Sequence, residues 1–300
     1  MSKNVLITGA AGFIGHHLYN RLLQRGDRVI GLDNFDHPCG AEIECIKGDV
    51  LHRTLIDELV REVDVVYHLA SQIHVDRSYK EPELTFDVNV GGTENVIKAC
   101  KEYGKQLVFA STSEIYGTAQ TDTISEEHPL NPQSPYAKSK KEAEDLCIDY
   151  ARRGGVEVII LRSFNTYGPF QNNNHYGAVI PIFIKRILGG ESPEIFGSGL
   201  QTRDFMYISD ALDAYDIAVQ KAATGEPVNF GTGIETSIND LASILLRLMG
   251  SNLDAIHVEP RPNEVMRLRA DISKARTLGF EPKVAFEDGL RMYLTGFKAR

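Results

Sequence analysis

The sequence predicts an α/β protein built on a doubly wound parallel sheet, and three observations carry that prediction. Short strands of nearly unbroken apolar residues alternate with helical segments, the pattern of a sheet covered on both faces. The first strand runs directly into a glycine-rich turn, and the alternation loosens in the second half of the chain. In order, residues 3–8 (Lys-Asn-Val-Leu-Ile-Thr) read as a buried strand. A helix follows with Ile14, Leu18 and Leu22 at i, i+4 and i+8, ending near Gly26. Residues 29–32 form a second strand that closes on Asp33. Further strands are expected at 63–68, 106–110 and 156–161, with helices near 52–61, 85–103 and 136–152. Loops that carry chemistry belong at the carboxyl ends of such strands.

Beyond Asn165 the pattern changes. Residues 169–177 are polar and irregular and include Gln171-Asn-Asn-Asn174. A helix is predicted over about 178–188, with two more near 209–222 and 237–249. The last carries Ile238, Leu241, Ile244, Leu245 and Leu248 as an apolar face. No repeat or low-complexity linker interrupts the chain, so the second half reads as a smaller lobe packed on the first. The expected division is 1–165, with parts of about 202–222 returning to it, and 166–300.

Thirty-two basic and 41 acidic side chains give a net charge of −9, which argues against general binding to nucleic acid or anionic membrane. A local basic pocket stays open. The longest apolar runs fall far short of a bilayer span. Val5-Leu6-Ile7 begins the first strand with no room for a signal peptide, so a cytoplasmic protein is expected. Cys39, Cys45, Cys100 and Cys147 form no Cys-x-x-Cys pair and read as unpaired thiols. His16 and His17 are adjacent on a helix and point different ways, and no histidine spacing suits zinc. No metal is expected.

Gly9-Ala-Ala-Gly12-Phe13-Ile14-Gly15 falls between a strand and a helix, the Rossmann-like context in which glycines let a dinucleotide pyrophosphate approach a helix N-terminus. Its spacing is G-x-x-G-x-x-G rather than the commoner G-x-G-x-x-G. Asp33 can accept hydrogen bonds from an adenosine ribose and repels a 2′-phosphate. No arginine or lysine lies between Asp33 and Cys39 to hold such a phosphate, so NAD is expected over NADP. Asp49-Val50 is placed to meet the adenine, and is equally explained as a turn.

Two more segments carry chemistry. Ser111-Thr112-Ser113-Glu114-Ile115-Tyr116-Gly117 supplies hydroxyls and a carboxylate. Tyr136 and Lys140, four apart, share a helix face, where an ammonium beside the phenol lowers its pKa and readies it to take a proton from a hydroxyl. The plain alternative is a surface helix rich in lysine, since Lys138 and Lys141 crowd beside Lys140.

With these segments the chain resembles the extended short-chain dehydrogenase/reductase family, the NAD-dependent nucleotide-sugar epimerases and dehydratases. The resemblance spans essentially the whole chain. It includes His68-Leu-Ala-Ser71, Asn89-Val-Gly-Gly-Thr93, Ser163-Phe-Asn165-x-Tyr-Gly168-Pro169, Arg203-Asp-Phe and Ala270-Asp271. It implies a cofactor site that also uses Asn34, Leu69, Ala70 and Ser71. It implies that Thr112 hydrogen-bonds the substrate oxygen, that Tyr136 is the base, and that Lys140 tunes it and binds the nicotinamide ribose. His74, Asn165, Arg203, Arg261 and Glu264 would hold a nucleoside-diphosphate sugar, with UDP the expected nucleotide. It also implies a homodimer in which the helices near 85–103 and 136–152 pair with their copies, although apolar Val96, Ile97 and Cys100 could equally face the sheet.

The implied chemistry opens with oxidation at C4 of the sugar and then branches. The 4-keto sugar can turn over and be reduced on its other face, giving the C4 epimer. A base can take the acidified C5 proton while water leaves C6. A C5 carboxylate can be lost as carbon dioxide. Thr-x-Glu-x-Tyr-Gly looks like the dehydratases and glucuronate decarboxylases, and His74-Val-Asp-Arg-Ser78 looks like a loop of the hexose 4,6-dehydratases. Glu114 would be the C5 base. Ser113 stands where thymidine-linked glucose dehydratases have an aspartic acid that protonates the departing hydroxyl. Tyr176-Gly-Ala-Val-Ile-Pro181 and Gln201-Thr-Arg-Asp-Phe205 look as much like 4-epimerases. Dehydration is therefore the leading expectation, 4-epimerisation the second and decarboxylation the third. A dinucleotide sensor without catalysis is the alternative of another class, and it has no need of an activated phenol.

Overall fold

The computed structural model describes residues 2–36, 43–171, 178–261 and 264–298. Cys39 and residues 176–177 of the epimerase-like segment lie outside them. Buried Val5, Leu6 and Ile7 make β1 (Asn4–Thr8) a core strand covered on both faces. The chain turns at Gly9 into α1 (Phe13–Gln24), seats Leu18 and Leu22 in the core, and returns as β2 (Arg28–Asp33) parallel to β1. The third strand, β3 (Ile46–Lys47), is only two residues long. Helix α2 (Arg53–Arg61) and β4 (Val65–His68) follow.

The segment expected as one helix near 85–103 is helical throughout but not uniform. Short helices α3 (Val75–Lys80) and α4 (Pro82–Phe86) lead into a π-helical turn, Asp87–Gly91, and then α5 (Gly92–Tyr103). The wide turn carries Asn89, whose side chain is fully engaged. Its Oδ1 accepts from Ser71 Oγ and the Gln72 N–H, and its Nδ2 donates to the Gln72 carbonyl and Ser139 Oγ. Val96, Ile97 and Cys100 on α5 are wholly buried in the cluster against the sheet, so the apolar residues considered for a partner copy face inward instead.

Strand β5 (Gln106–Thr112) passes through a 3₁₀ turn, Ser113–Tyr116, before α6 (Pro135–Arg153). Ser134 caps α6 by accepting from the Ala137 N–H, and Pro135 occupies the first turn where its missing donor costs nothing. Next comes β6 (Val158–Ser163). The second half holds β7 (Asn165–Tyr167), α7 (Val179–Leu188), β8 (Glu194–Phe196) and β9 (Thr202–Tyr207). It continues with α8 (Ile208–Lys221), β10 (Pro227–Phe230), β11 (Glu235–Ser237) and α9 (Ile238–Leu248). It ends with β12 (Ile256–Val258), α10 (Ser273–Thr277) and α11 (Phe286–Lys298).

Seven strands form one sheet in the order β10-β6-β5-β4-β1-β2-β3, every pair parallel. The chain works outward from β1 to β3, then crosses back to β4 and onward. Ligands in such sheets gather beyond the carboxyl ends near this reversal, between β1 and β4. Sequence reading missed β10. Its Pro227 and Asn229 argue against a strand, but the Asn229 side chain is buried with both ends satisfied, accepting from Tyr116 Oη and donating to the Ile124 carbonyl. Helix α8 packs on α1 through Arg21, which meets Asp213 and Asp216. Two small sheets, β11-β9-β7 and β12-β8, complete the second half. No helix among the described residues is long and apolar enough to cross a membrane.

Candidate active site

A cleft of about 760 Å³ opens along the carboxyl ends of the strands and is lined by every candidate catalytic, cofactor-binding and substrate-binding residue named from the sequence except Ser113. Its floor is the glycine turn. Gly9 adopts φ +74°, and a Cβ there would sit 2.7 Å from the Ala70 backbone nitrogen. A Cβ on Gly15 would run into the Gly9 carbonyl oxygen, so the close approach of α1 to the turn after β1 requires glycine there. The N-cap of α1 is Gly12, with no capping side chain and no acidic residue in the first turn. The orphan N–H groups and positive helix end therefore face the cleft uncompensated, which suits a dinucleotide pyrophosphate.

At the end of β2, Asp33 Oδ2 accepts from the Ala11 N–H at 2.9 Å and Oδ1 from the Phe35 N–H at 2.7 Å. Burial raises its pKa, opposed by those two hydrogen bonds. Asn34 Nδ2 donates to Asp49 Oδ2 at 3.3 Å, which brings the two expected adenine-side residues together, with Val50 beside them in the lining. A basic residue does reach this rim, from elsewhere in the chain: Arg77 of α3 lies 2.7 Å from Asp36. His68, below Leu69 and Ala70, bridges Thr8 and Thr93 and is held neutral, its pKa pushed down to about 3 by burial and by nearby Lys140.

Further along, the 3₁₀ turn decides which side chains reach the substrate end. Thr112 and Glu114 line the cleft, whereas Ser113 is buried outside its lining, because the tight turn sends the intervening residue into the core. Ser113 is therefore corrected from a candidate catalytic group to a packed one. Glu114 stands in the wall with its pKa raised by burial, lowered by Arg203 and raised again by Glu264. Tyr136 and Lys140 both reach the cleft from α6, but not as an ion-paired couple. Lys140 Nζ donates to the Ala110 carbonyl at 2.7 Å and sits 4.3 Å from the centre of the Phe109 ring. Burial pushes its pKa down to about 8. Tyr136 is pushed up to about 12 by burial, with a Thr112 hydrogen bond as the opposing influence. Glu114 raises it further, and the expected help from the lysine is not among these influences.

Behind this set runs a buried polar chain that sequence reading did not find. Ser111 Oγ donates to Glu144 Oε2, Arg162 forks onto Glu144 through Nε and Nη2, and Arg162 Nη1 donates to Tyr116 Oη at 2.6 Å. The only signal was Glu144 four residues after Lys140.

Across the cleft, the second half supplies the polar wall. Arg203 donates to the Val265 carbonyl and to Glu264 Oε1 at 2.8 Å. Arg261 lies 4.2 Å over the Phe196 ring, with Asp76 of α3 3.7 Å away. Asn165 Oδ1 is buried without a hydrogen-bond partner among the described residues, an acceptor left for a ligand. His74, from the first half, is also buried in the cleft lining, its backbone N–H donating to Gln72 Oε1. Gln133, Phe196 and Gln201 also line the cleft and were missed, although Gln201 precedes Arg203 in the segment already quoted.

The sequence pattern of the NAD dependent epimerase/dehydratase family matches residues 5–231. The chain is 37% identical to UDP-glucuronic acid decarboxylase 1 of Xenopus tropicalis, covering 99% of this chain and 72% of that protein. Among solved structures, the UDP-glucose 4-epimerase of Thermotoga maritima with UDP-glucose superposes with a TM-score of 0.95, at 31% identity over 99% of each chain. DesIV, the dTDP-glucose 4,6-dehydratase of Streptomyces venezuelae with NAD bound, gives 0.93 at 30% identity, covering 99% of this chain and 97% of that one.

Proposed function

The chain belongs to the NAD-dependent epimerase/dehydratase family, and from that premise we propose that it dehydrates a UDP-hexose through a transient 4-keto sugar. The observation that carries this reading is Glu114, a half-buried carboxyl in the cleft wall within electrostatic reach of Tyr136. The glycine turn would hold the pyrophosphate of NAD, with Asp33 on the adenosine ribose. Arg203 and Arg261, in the lobe beyond residue 165, and Asn165 at its border would hold the UDP. When bound, NAD would supply a hydride acceptor for C4 and a hydride donor for C6, and its positive ring would favour a phenolate nearby. Thr112 positions the C4 oxygen and Tyr136 receives its proton. Glu114 then takes the C5 proton, which the new carbonyl has acidified, and passes it to the hydroxyl leaving C6 as water; hydride return at C6 leaves an enolate that takes a solvent-derived proton at C5. A raised pKa makes Glu114 a stronger base than an exposed carboxylate.

A 4-epimerase is the second reading, and the inward turn of Ser113 favours it. Among the described residues, the carboxyl then left within electrostatic reach of Glu114 is Glu264, which is tied to Arg203, so Glu114 would have to pass the proton it takes to the leaving hydroxyl. Decarboxylation of a UDP-uronate shares the same opening step, and a relative at 37% identity carries that name.

Separate incubations with UDP-glucose, UDP-N-acetylglucosamine and UDP-glucuronate, read by product mass, divide the three outcomes. Dehydration predicts loss of water and deuterium at C5 in heavy water. Glu114→Gln should lower that turnover by roughly 10²–10⁴-fold. Tyr136→Phe should abolish all products. An unlabelled C5 with unchanged product mass would overturn dehydration in favour of the epimerase.

A further inference from the structure

Asp33 is not the last carboxylate on the adenosine rim of the cleft. Phe35 takes φ 60°, left-handed for a bulky residue, and Asn34 Oδ1 accepts from the Asp36 N–H at 3.0 Å. This tight turn sets Asp36 on the cleft wall. There it meets a residue that no reading of the β2 turn by itself could supply. Arg77 Nη1 lies 2.7 Å from Asp36 Oδ2, and Arg77 Nε lies 3.0 Å from Glu81 Oε2. Arg77 is mostly shielded, at 17% exposure, while Asp36 stands out at 55%. Asp33, Asn34, Asp36 and Arg77 all line the same cleft.

A guanidinium at the ribose end of a dinucleotide cleft is the group that takes a 2′-phosphate, because its planar fork matches the phosphate oxygens. Here that fork is already matched by carboxylates. An incoming phosphate would have to displace Asp36 from Arg77 and approach two acidic side chains at once. We propose that Arg77 is a latent 2′-phosphate receptor kept out of use by Asp36, so that the Asp36–Arg77 pair sets cofactor choice together with Asp33. The inference rests on NAD being the cofactor and names what enforces it. NAD has no 2′-phosphate, so it is indifferent to the pair.

The test is displacement of bound NAD from the holoprotein by NADP, with released dinucleotide quantified by chromatography. Asp36→Asn should tighten NADP binding by about tenfold and leave NAD within about threefold of wild type. Asp36→Ser should do the same, which guards against a fault peculiar to one side chain. Adding Arg77→Ala to either variant should erase the gain. Unchanged NADP binding in both single variants overturns the proposal, as does a gain that survives loss of Arg77. A wild-type protein that prefers NADP defeats the NAD reading itself, and this proposal with it. The pair alone fails if wild type prefers NAD and the variants do not respond.

Discussion

At the scale of single residues, Lys140 offers the clearest test of the active-site set. Burial lowers its pKa to about 8, so its ammonium is present below that pH and lost above it. Tyr136, pushed up to about 12, keeps its proton across the same range in the resting site. If the lysine charge is what helps the phenol to ionise, kcat/KM should fall on the alkaline side near pH 8, before any titration of the tyrosine. Lys140→Arg keeps its charge far above that pH, so its weaker activity should show no such fall. An alkaline limb left in place by the arginine variant would assign it to another group. Tyr136 and Lys140 were legible in the sequence because a spacing of four fixes a shared helix face, whereas Thr112 and Glu114 were marked by the family resemblance of their segment. Ser113 was not, since the direction of a side chain in a 3₁₀ turn depends on how the turn packs. Arg77 was invisible for another reason. It comes to Asp36 across 41 residues of chain, and nothing local marks that meeting.

Between elements, the buried pair Arg162–Glu144 ties β6 to α6, while Ser111 and Tyr116 link it to β5 and the 3₁₀ turn. Glu144 lies on α6 one turn beyond Lys140, so this chain fixes the helix that carries Tyr136 and Lys140 against the strand that carries Thr112. Glu144→Gln keeps the shape but leaves the Arg162 charge buried and uncompensated, which should cost about 3–5 kcal/mol in urea unfolding. Replacing both partners, as Glu144→Leu with Arg162→Met, removes the stranded charge and should recover much of that loss. A double variant no more stable than the single one would mean that packing, not charge, dominates there. The strands and helices of the first half were legible because their apolar residues repeat with the right period. The π turn at Asp87–Gly91 was not, for its local sequence reads as ordinary helix and the bulge exists to aim Asn89 at Ser71 and Ser139. Strand β10 was hidden by Asn229, a polar residue whose place in the core becomes acceptable only when Tyr116 and Ile124 are brought to it.

For the whole molecule, the remaining question is how copies associate. The fold class followed from the alternation of strands and helices, but quaternary structure is written on outer surfaces, where no periodicity reports it. With Val96, Ile97 and Cys100 turned to the sheet, the outward faces of α5 and α6 are charged. Glu94 pairs with Lys98, Lys141 with Asp145 and Asp149 with Arg153, each four residues apart. Leu146 and Ile148 on α6 pack against the core with part of each side chain left open. A homodimer through a four-helix bundle remains our expectation, and this surface dictates its character. Its ion pairs would be exchanged between copies around a small apolar centre, so association should depend on salt, since exposed charges are screened within about 8 Å at physiological ionic strength. Light scattering at micromolar concentration should give twice the chain mass in dilute buffer and move toward the monomer as salt rises. Reversing one pair as Lys98→Glu should weaken the dimer without changing the melting of the chain, because an exposed pair contributes about 0–1 kcal/mol to folding. A monomer at low salt would rule out the bundle, and a dimer indifferent to both salt and Lys98→Glu would move the interface to another face.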